Sequence, residues 1–364
     1  MKKHYSFSRP LVNLVGVLLV LGILFFISPS RGDDPVITSV DPGEVQVYVG
    51  GTGPGNYSSI QEALDGVAVG GTIFVYPGEY HENLEIRDPV IIQGENSENT
   101  ILIGGDMEHA IQILGGNVKI QGLTIQKSGA NKVGILLDSS HNVIMNCSII
   151  NHFHGVHAAD RDNNILRNCT FIDNSMGLFF DNSDNNSITQ CTITYNEEGL
   201  YLYENCNNNR ITNCTISNNT QGLFFRDLSN DNIISQCLIT HNRIGVRLWD
   251  AKKNLFFLNT FQDNTNHTES LISDNLWYTR EKINYTLKGA AYYGYVGNYW
   301  DDYAGSDKDG DGLGDQHYEI DDDDDDNFPI MPPKTTDSVP GFELFIIIGV
   351  LCALVIVIEK HKTR

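Results

Sequence analysis

"NNILRNCTFIDNSMGLFFDNSD" occupies residues 163–184, and "NNSITQCTITYNEEGLYLYENCN" follows at 185–207 as a near restatement. In each stretch a glycine follows a cysteine by eight residues, at Cys169/Gly177 and Cys191/Gly199. The pairing is wider than these two copies. Cys147, Cys169, Cys191, Cys214 and Cys237 are separated by 22, 22, 23 and 23 residues, and Gly155, Gly177, Gly199, Gly222 and Gly245 keep the same steps. Two polar rows run in phase with them: Asn142, Asn164, Asn186, Asn209, Asn232 and Asn254, and then His152, Asn174, Asn196, Asn219, Asn242 and Asn264. Self-similarity at a fixed period marks a solenoid, whose repeats contact mainly their neighbours.

What lies between the rows decides which solenoid. Each repeat holds short apolar-alternating pieces such as "CTF", "CTI" and "GLFF", punctuated by Asn, Asp, Ser and Gly, which is the pattern of strands and turns. A coil of 22 to 23 residues with three short strands has the size of one turn of a parallel β-helix, with neighbouring coils at roughly 4.8 Å. Identical residues then stack in ladders. Asparagine suits the turns because it tolerates left-handed backbone and hydrogen-bonds along the stack. The inward rows are Ile149, Phe171, Ile193, Ile216, Ile239 and Phe261; Val156, Leu178, Leu200, Leu223 and Val246; and Ala158, Phe180, Leu202, Phe225 and Leu248. "YSSIQEALDGVAVGGTIFVYPGEYHENLEI" (57–86) begins with an amphipathic segment, residues 60–67, suited to plugging the open end of the stack.

The net charge of −22 over 364 residues argues against nucleic-acid backbones and anionic membrane surfaces as partners. Cations, basic surfaces and neutral glycans stay open. "MKKHYSFSRP" precedes an apolar run at 11–27, which reads as a signal peptide or signal anchor. "FELFIIIGVLCALVIVI" (342–358) is a second apolar run, followed by basic "EKHKTR"; the positive-inside rule puts both tails in the cytoplasm and residues 33–338 outside. Pro340-Gly341-Phe342 before that run resembles the PGF-type sorting signals of archaeal surface proteins, which implies processing and transfer to a lipid anchor.

The capping stretch, the coils and the tail "GNYWDDYAGSDKDGDGLGD" (297–315) together resemble NosD-like right-handed parallel β-helix proteins of the pectin-lyase-like fold, over about residues 45–332. The resemblance implies an all-β right-handed solenoid. Its relatives range from nitrous-oxide-reductase copper maturation to surface proteins, polysaccharide lyases, hydrolases and adhesins. The expected organisation is a signal segment (1–32), a β-helix with its N-terminal cap (33–264), an aromatic-rich segment with an acidic loop (265–332), a linker (333–341), a transmembrane or sorting helix (342–358) and a basic cytoplasmic tail (359–364).

Four features bear on chemistry. The cysteine ladder reads as small inward thiols. Asn259 takes the next cysteine position and no Met or His pairs stand beside the row, so copper is not expected there; Cys206 lies off the ladder in a turn. His152, His154 and His157, with His141 nearby, look like a metal cluster, but the coil turns His157 outward and puts His152 at a turn-ladder site, so scattered turn and surface histidines are the expected reading and a metal site the alternative. In "DKDGDGLGD", Asp307, Asp309 and Asp311 take positions 1, 3 and 5 of an EF-hand-like loop, Gly312 position 6, the Leu313 carbonyl position 7 and Asp315 position 9. Position 12 is Tyr318, with Glu319 one residue on, so the expectation is a weak structural Ca²⁺ site, the alternative an unliganded acidic turn. "DDDDDD" (321–326) reads as a solvated spacer.

The fourth feature is the outward face beside the "GL" strand. It carries the rows His157, Phe179, Tyr201, Phe224, Arg247 and Ala159, Asp181, Tyr203, Arg226, Trp249. Rings repeating at the strand spacing, with Arg alongside, suit successive sugars of a glycan. The alternatives are a ladder that stabilises only itself, or a face covered by the aromatic segment 275–300. Asp181, Arg226 and Asp250 stand two to three coils apart, and no GxSxG, HExxH or P-loop is present, which weighs against catalysis. The expected function is that of a membrane-anchored extracellular β-helix on the cell surface, a binding or structural module, with a glycan as the candidate ligand. A polysaccharide lyase or hydrolase and a NosD-like copper-maturation accessory are the alternatives.

Overall fold

The computed structural model describes residues 46–105, 109–126, 131–287, 290–322 and 324–331. The signal segment, linker, sorting motif and C-terminal apolar run lie outside these residues. Among the described residues no helix is long and apolar enough to cross a membrane.

Three parallel sheets of eleven, ten and nine strands wind into a β-helix, each coil giving one strand to each sheet in turn. Ser187–Thr189, Thr192–Thr194 and Glu198–Tyr203 make up one such coil. Register is strict: Phe171 pairs with Ile193, Ile193 with Ile216, and Ile216 with Ile239. The three expected inward rows are all buried and join one continuous core. The sheets run past residue 264, through strands Asn266–Leu271, Asp274–Leu276 and Tyr299–Trp300.

The corners divide labour more finely than the repeat suggested. The left-handed residues are Asn163, Asn185, Asn208 and Asp231, whereas the ladder asparagines stand one position later and are buried. One residue bends the chain and its successor turns inward. Asn186 donates from its backbone N–H (2.8 Å) and its Nδ2 (3.1 Å) to Asn209 Oδ1, and Asn209 repeats both contacts on Asn232. The second polar row does the same from Asn174 to Asn264, and His152 joins it through its backbone N–H alone. Each amide thus satisfies backbone groups that a tight corner would otherwise bury unpaired. The glycine row has a steric cause: a Cβ on Gly177 or Gly199 would stand 2.5 Å from the carbonyl oxygen of the next glycine in the row.

The thiols are core elements. Cys169 Sγ reaches the carbonyls of Ile144 (3.5 Å) and Arg167 (3.4 Å), and Cys191 repeats the arrangement. Cys206 has its own corner row, accepting from the Ser183 N–H at 3.4 Å, and burial pushes its thiol up to about 12.

Both ends of the stack are closed. Helix Ile60–Gly66 lays Ile60 and Ala63 on the first coils; Ser59 caps it, and Glu82 accepts the N–H groups of Ile60 and Gln61. At the other end the aromatic segment does not cover the outward face of the third sheet. Trp277 stacks on Phe256 at 4.2 Å and Trp300 on Phe261 at 4.1 Å, and both tryptophans are fully buried. Large flat rings are the side chains that seal an open apolar cross-section with fewest residues.

The acidic run is not a solvated spacer throughout. The ladders donate toward the C-terminal end, so their last members carry N–H groups with no further coil to receive them. Asp324 accepts the Asn275 N–H at 3.0 Å, and Asp326 accepts from Asn298 N (2.7 Å), Trp300 Nε1 (3.0 Å) and Phe328 N (3.0 Å). Burial raises Asp324 to about 6 and Asp326 to about 7, against the pull of these donors.

Candidate functional site

Parallel in-register stacking brings the seven predicted ligand residues onto one outward face of the third sheet. Phe179, Tyr201, Phe224 and Arg247 are successive strand partners, preceded by Leu136 and His157 and followed by Glu269. The rings turn toward each other more than toward solvent. Tyr201 and Phe224 stack at 4.6 Å and 7°, Phe179 tilts on Tyr201 at 5.3 Å, and the Arg247 guanidinium covers Phe224 at 5.3 Å. Tyr201 and Phe224 are consequently nine-tenths buried.

The parallel row is the open one. Arg226 is held between the rings of Tyr203 (5.6 Å) and Trp249 (5.0 Å), with Asp227 at 3.1 Å from its Nε. Trp249 is 37% exposed and Tyr203 half-buried, so this row presents apolar ring surface and a guanidinium edge together. Asp181 faces Tyr203 across the strands, and burial, then Glu204 and Asp160, raise its carboxyl. Asp181, Arg226 and Asp250 do not converge: Asp250 sits at a left-handed corner beside Lys252.

A third row on this face was not singled out from the sequence: His154, Met176, Glu198, Gln221, Ile244 and Asn266. Glu198, Gln221 and Arg247 form a relay, with Gln221 Nε2 donating to Glu198 (3.3 Å) and Arg247 Nη1 donating to Gln221 (3.3 Å). Burial and then Glu197 raise the Glu198 carboxyl. The histidine expectation is corrected in part. His152 belongs to the buried amide ladder, its Nε2 meeting the Ile125 carbonyl at 3.1 Å. His154 and His157 are not dispersed: their rings meet edge to face at 5.1 Å, and both pack on Phe179. His154 Nδ1 and His157 Nε2 are buried without a hydrogen-bond partner, which costs about 1–3 kcal/mol for each such group. Burial first, then His157 and His109, lower His154 to about 4; burial first also lowers His157.

In the acidic loop the carboxylates of Asp307, Asp309 and Asp311 lie within 4.8 Å of one another. Backbone N–H groups shape the turn: Gly310 (2.7 Å) and Gly312 (3.1 Å) donate to Asp307, and Leu313 (2.8 Å) donates to Asp311. Gly310 and Gly312 both hold positive φ, as a sharp wrap of alternate acids requires. Asp315 accepts the Lys308 N–H at 2.9 Å, across the base of the loop. Burial and then the neighbouring carboxylates raise Asp311 against the Leu313 N–H. An oxygen-rich, acid-only donor set of this kind fits a hard cation. Tyr318, at the twelfth position, stacks on Trp300 at 4.2 Å and supplies no ligand. A separate contact, unforeseen from the sequence, joins His267 Nε2 to Asp301 (2.8 Å) and Asp302 (3.4 Å).

A family model described as "Periplasmic copper-binding protein (NosD)" matches residues 79–305. No curated protein sequence matches the chain. Among solved structures it is similar to two A-modules of Azotobacter vinelandii mannuronan C-5 epimerases. AlgE4 shares 18% identity over 56% of this chain and 73% of that chain, with a TM-score of 0.46. AlgE6 shares 18% over 64% and 78%, with a TM-score of 0.48. A pectin methylesterase from Aspergillus niger shares 14% over 63% and 84%, with a TM-score of 0.46.

Proposed function

The chain belongs to the NosD family, and within it we propose a β-helix displayed outside the cytoplasm that holds an extended glycan along the outer face of its third sheet. One observation carries this reading: the row Tyr203, Arg226 and Trp249 offers exposed ring surface and a guanidinium edge at successive coils. Coils repeat at about 4.8 Å, close to the rise of a sugar residue in an extended chain, so one strand spacing presents equivalent contacts again and again. The stacked pair Tyr201 and Phe224 forms a packed row beside it, with Phe179 and Arg247 at the ends of that pair. The apolar run at 342–358 is the membrane tether of the same reading. The acidic loop takes Ca²⁺ through Asp307, Asp309 and Asp311, with Asp315 and the Leu313 carbonyl closing the loop, and rigidifies the C-terminal end. Arg247 is already engaged, by Gln221 and by Glu269 at 3.6 Å, and Glu198 accepts from Gln221, so the proposed role is binding rather than chain cleavage.

The test is a glycan array probed with residues 33–338, with calcium and with chelator, beside a Tyr203→Ala/Trp249→Ala variant. Binding by the wild type that falls at least tenfold in the variant supports the reading. Equal binding by both, or none by a folded sample, refutes it.

A further inference from the structure

The outer face of the third sheet is closed at its N-terminal coils. Ile86 pairs with Ile113, Ile113 with Leu137 and Leu137 with Ala158. One residue further along each strand, the same register puts Arg87, Leu114, Asp138 and Ala159 in line below Asp181, Tyr203, Arg226 and Trp249. At the foot of that row lies a cavity of about 650 Å³, a size that holds a small ligand. Glu85, Arg87, Gln112 and Lys132 wall it on the sheet side, and Gln61 and Asp65 of the capping helix on the other. The helix is fixed across the sheet's edge strand, Leu84–Ile86. Gln61 Oε1 accepts the Glu85 N–H (2.9 Å) and Gln61 Nε2 donates to the Glu85 carbonyl (3.3 Å), so a helix side chain takes the place of a further strand. A polymer lying along the face meets this helix and stops there.

We propose that this cavity is an end subsite, which takes the terminal residues of a neutral glycan whose body lies along the row above. The charges of the walls decide the class of sugar. Two carboxylates, Asp65 and Glu85, stand with two cations, Arg87 and Lys132, and Arg87 is already paired with Glu85. His109, which also lines the cavity, accepts the Val133 N–H on Nδ1 at 3.1 Å, so its ring is neutral. The walls therefore carry no net charge. The amide donors are spent on the protein itself: Gln61 Nε2 also donates to Asp65 (3.0 Å), and Gln112 Nε2 donates to Asp138 (2.6 Å). What faces a ligand is carboxylate and amide oxygen beside the Lys132 ammonium, and sugar hydroxyls meet both because each donates and accepts at once. A uronate would instead set its carboxylate beside Asp65 and Glu85, on a chain of net charge −22. At one sugar per coil, the row from Arg87 to Trp249 takes about eight residues. The role as a chain end rests on the glycan reading above, whereas the cavity's own affinity is measured with probes too short to reach the rings.

The test is titration of the full chain, followed by saturation-transfer NMR, with five neutral disaccharides: cellobiose, mannobiose, xylobiose, maltose and diacetylchitobiose. Digalacturonate is the charged counterpart, and the octasaccharide of the disaccharide that binds is the long probe. The variants are Glu85→Gln/Lys132→Met, Lys132→Met alone and Tyr203→Ala/Trp249→Ala. One neutral disaccharide should bind at least about tenfold tighter than digalacturonate, and lose at least about tenfold in the cavity double variant and about threefold in Lys132→Met. The octasaccharide should bind at least about 30-fold tighter than the disaccharide, because it engages cavity and rings together, and either double variant should cancel that gain. Digalacturonate bound as tightly as the best neutral disaccharide, or no disaccharide bound by folded protein, overturns the proposal. Binding that survives the cavity substitutions and falls with the ring pair overturns the end subsite and leaves the glycan reading standing. Disaccharide binding lost with the cavity substitutions, with no gain for the octasaccharide, supports the cavity as a sugar site and refutes the track of rings. If the cavity double variant does not fold, Lys132→Met decides alone.

Discussion

Asn209→Ala tests the central structural claim, that buried amides rather than apolar contacts hold the corners of the coil. Asn209 Oδ1 accepts from the Asn186 backbone N–H (2.8 Å) and Nδ2 (3.1 Å), while its Nδ2 donates to the Ser183 carbonyl (3.0 Å). Alanine removes these three contacts and the Nδ2 bond to Asn232 Oδ1 (3.1 Å) at a site with no exposure, so water cannot replace them. The Asn186 N–H and the Ser183 carbonyl are left without a partner, whereas Asn186 Nδ2 keeps the Arg161 carbonyl (3.4 Å), and two orphaned groups at about 1–3 kcal/mol each place the loss at about 2–6 kcal/mol. The left-handed bend is untouched, because Asn208 makes it. Cys191→Ala is the control: it vacates an equally buried position in the same coil without orphaning a strong donor, and costs about 1 kcal/mol. Urea denaturation compares the two, and native-state hydrogen exchange follows the Asn186 amide, which should exchange at least 100-fold faster in Asn209→Ala. A loss in Asn209→Ala no larger than in Cys191→Ala, with the Asn186 amide still protected, would refute the reasoning.

Three further outcomes are expected. Gly199→Ala drives a Cβ to 2.5 Å from the Gly222 carbonyl oxygen and should cost at least about 1–3 kcal/mol in a urea titration; a loss under about 0.5 kcal/mol would mean the coils can part. Asp326 is raised from 3.8 to about 7 in the folded chain, so the folded state binds the proton more tightly than the unfolded one, and the contribution of this group to stability is fully present below pH 4 and is lost as pH rises toward 7, by at most about 4 kcal/mol. Asp326→Asn should flatten that slope in denaturation curves taken across the window, and an unchanged slope would assign it to other groups. Calcium at about 100 times its dissociation constant should stabilise the wild type by about 2.7 kcal/mol, read as a higher thermal midpoint. Asp307→Ala/Asp311→Ala should abolish the shift, and an equal shift in the variant would place the ion elsewhere.

The sequence by itself determined the architecture. Rows of five or six residues in phase at 22 to 23 residues, with alternating apolar pieces between them, admit only a stack of short parallel strands, because every coil must present the same inward set to the coils above and below. That logic also placed Phe179, Tyr201, Tyr203, Phe224, Arg226, Arg247 and Trp249 on one face. What it could not decide was where side chains spend their surface. Tyr201 and Phe224 repeat like ligand-facing rings, yet they stack on each other and leave Tyr203 and Trp249 as the open pair. The aromatic segment and the acidic run have no counterpart in the repeat, so periodicity was silent on them. Only the fold shows Trp277 and Trp300 sealing the core and Asp324 and Asp326 receiving the last N–H groups of the ladders. His154, His157 and Met176 make the same point across 22 residues of sequence. His154 and Met176 are neighbours because in-register pairing converts a full repeat into one strand spacing, and the meeting of the His154 and His157 rings depends on side-chain directions that no spacing rule encodes.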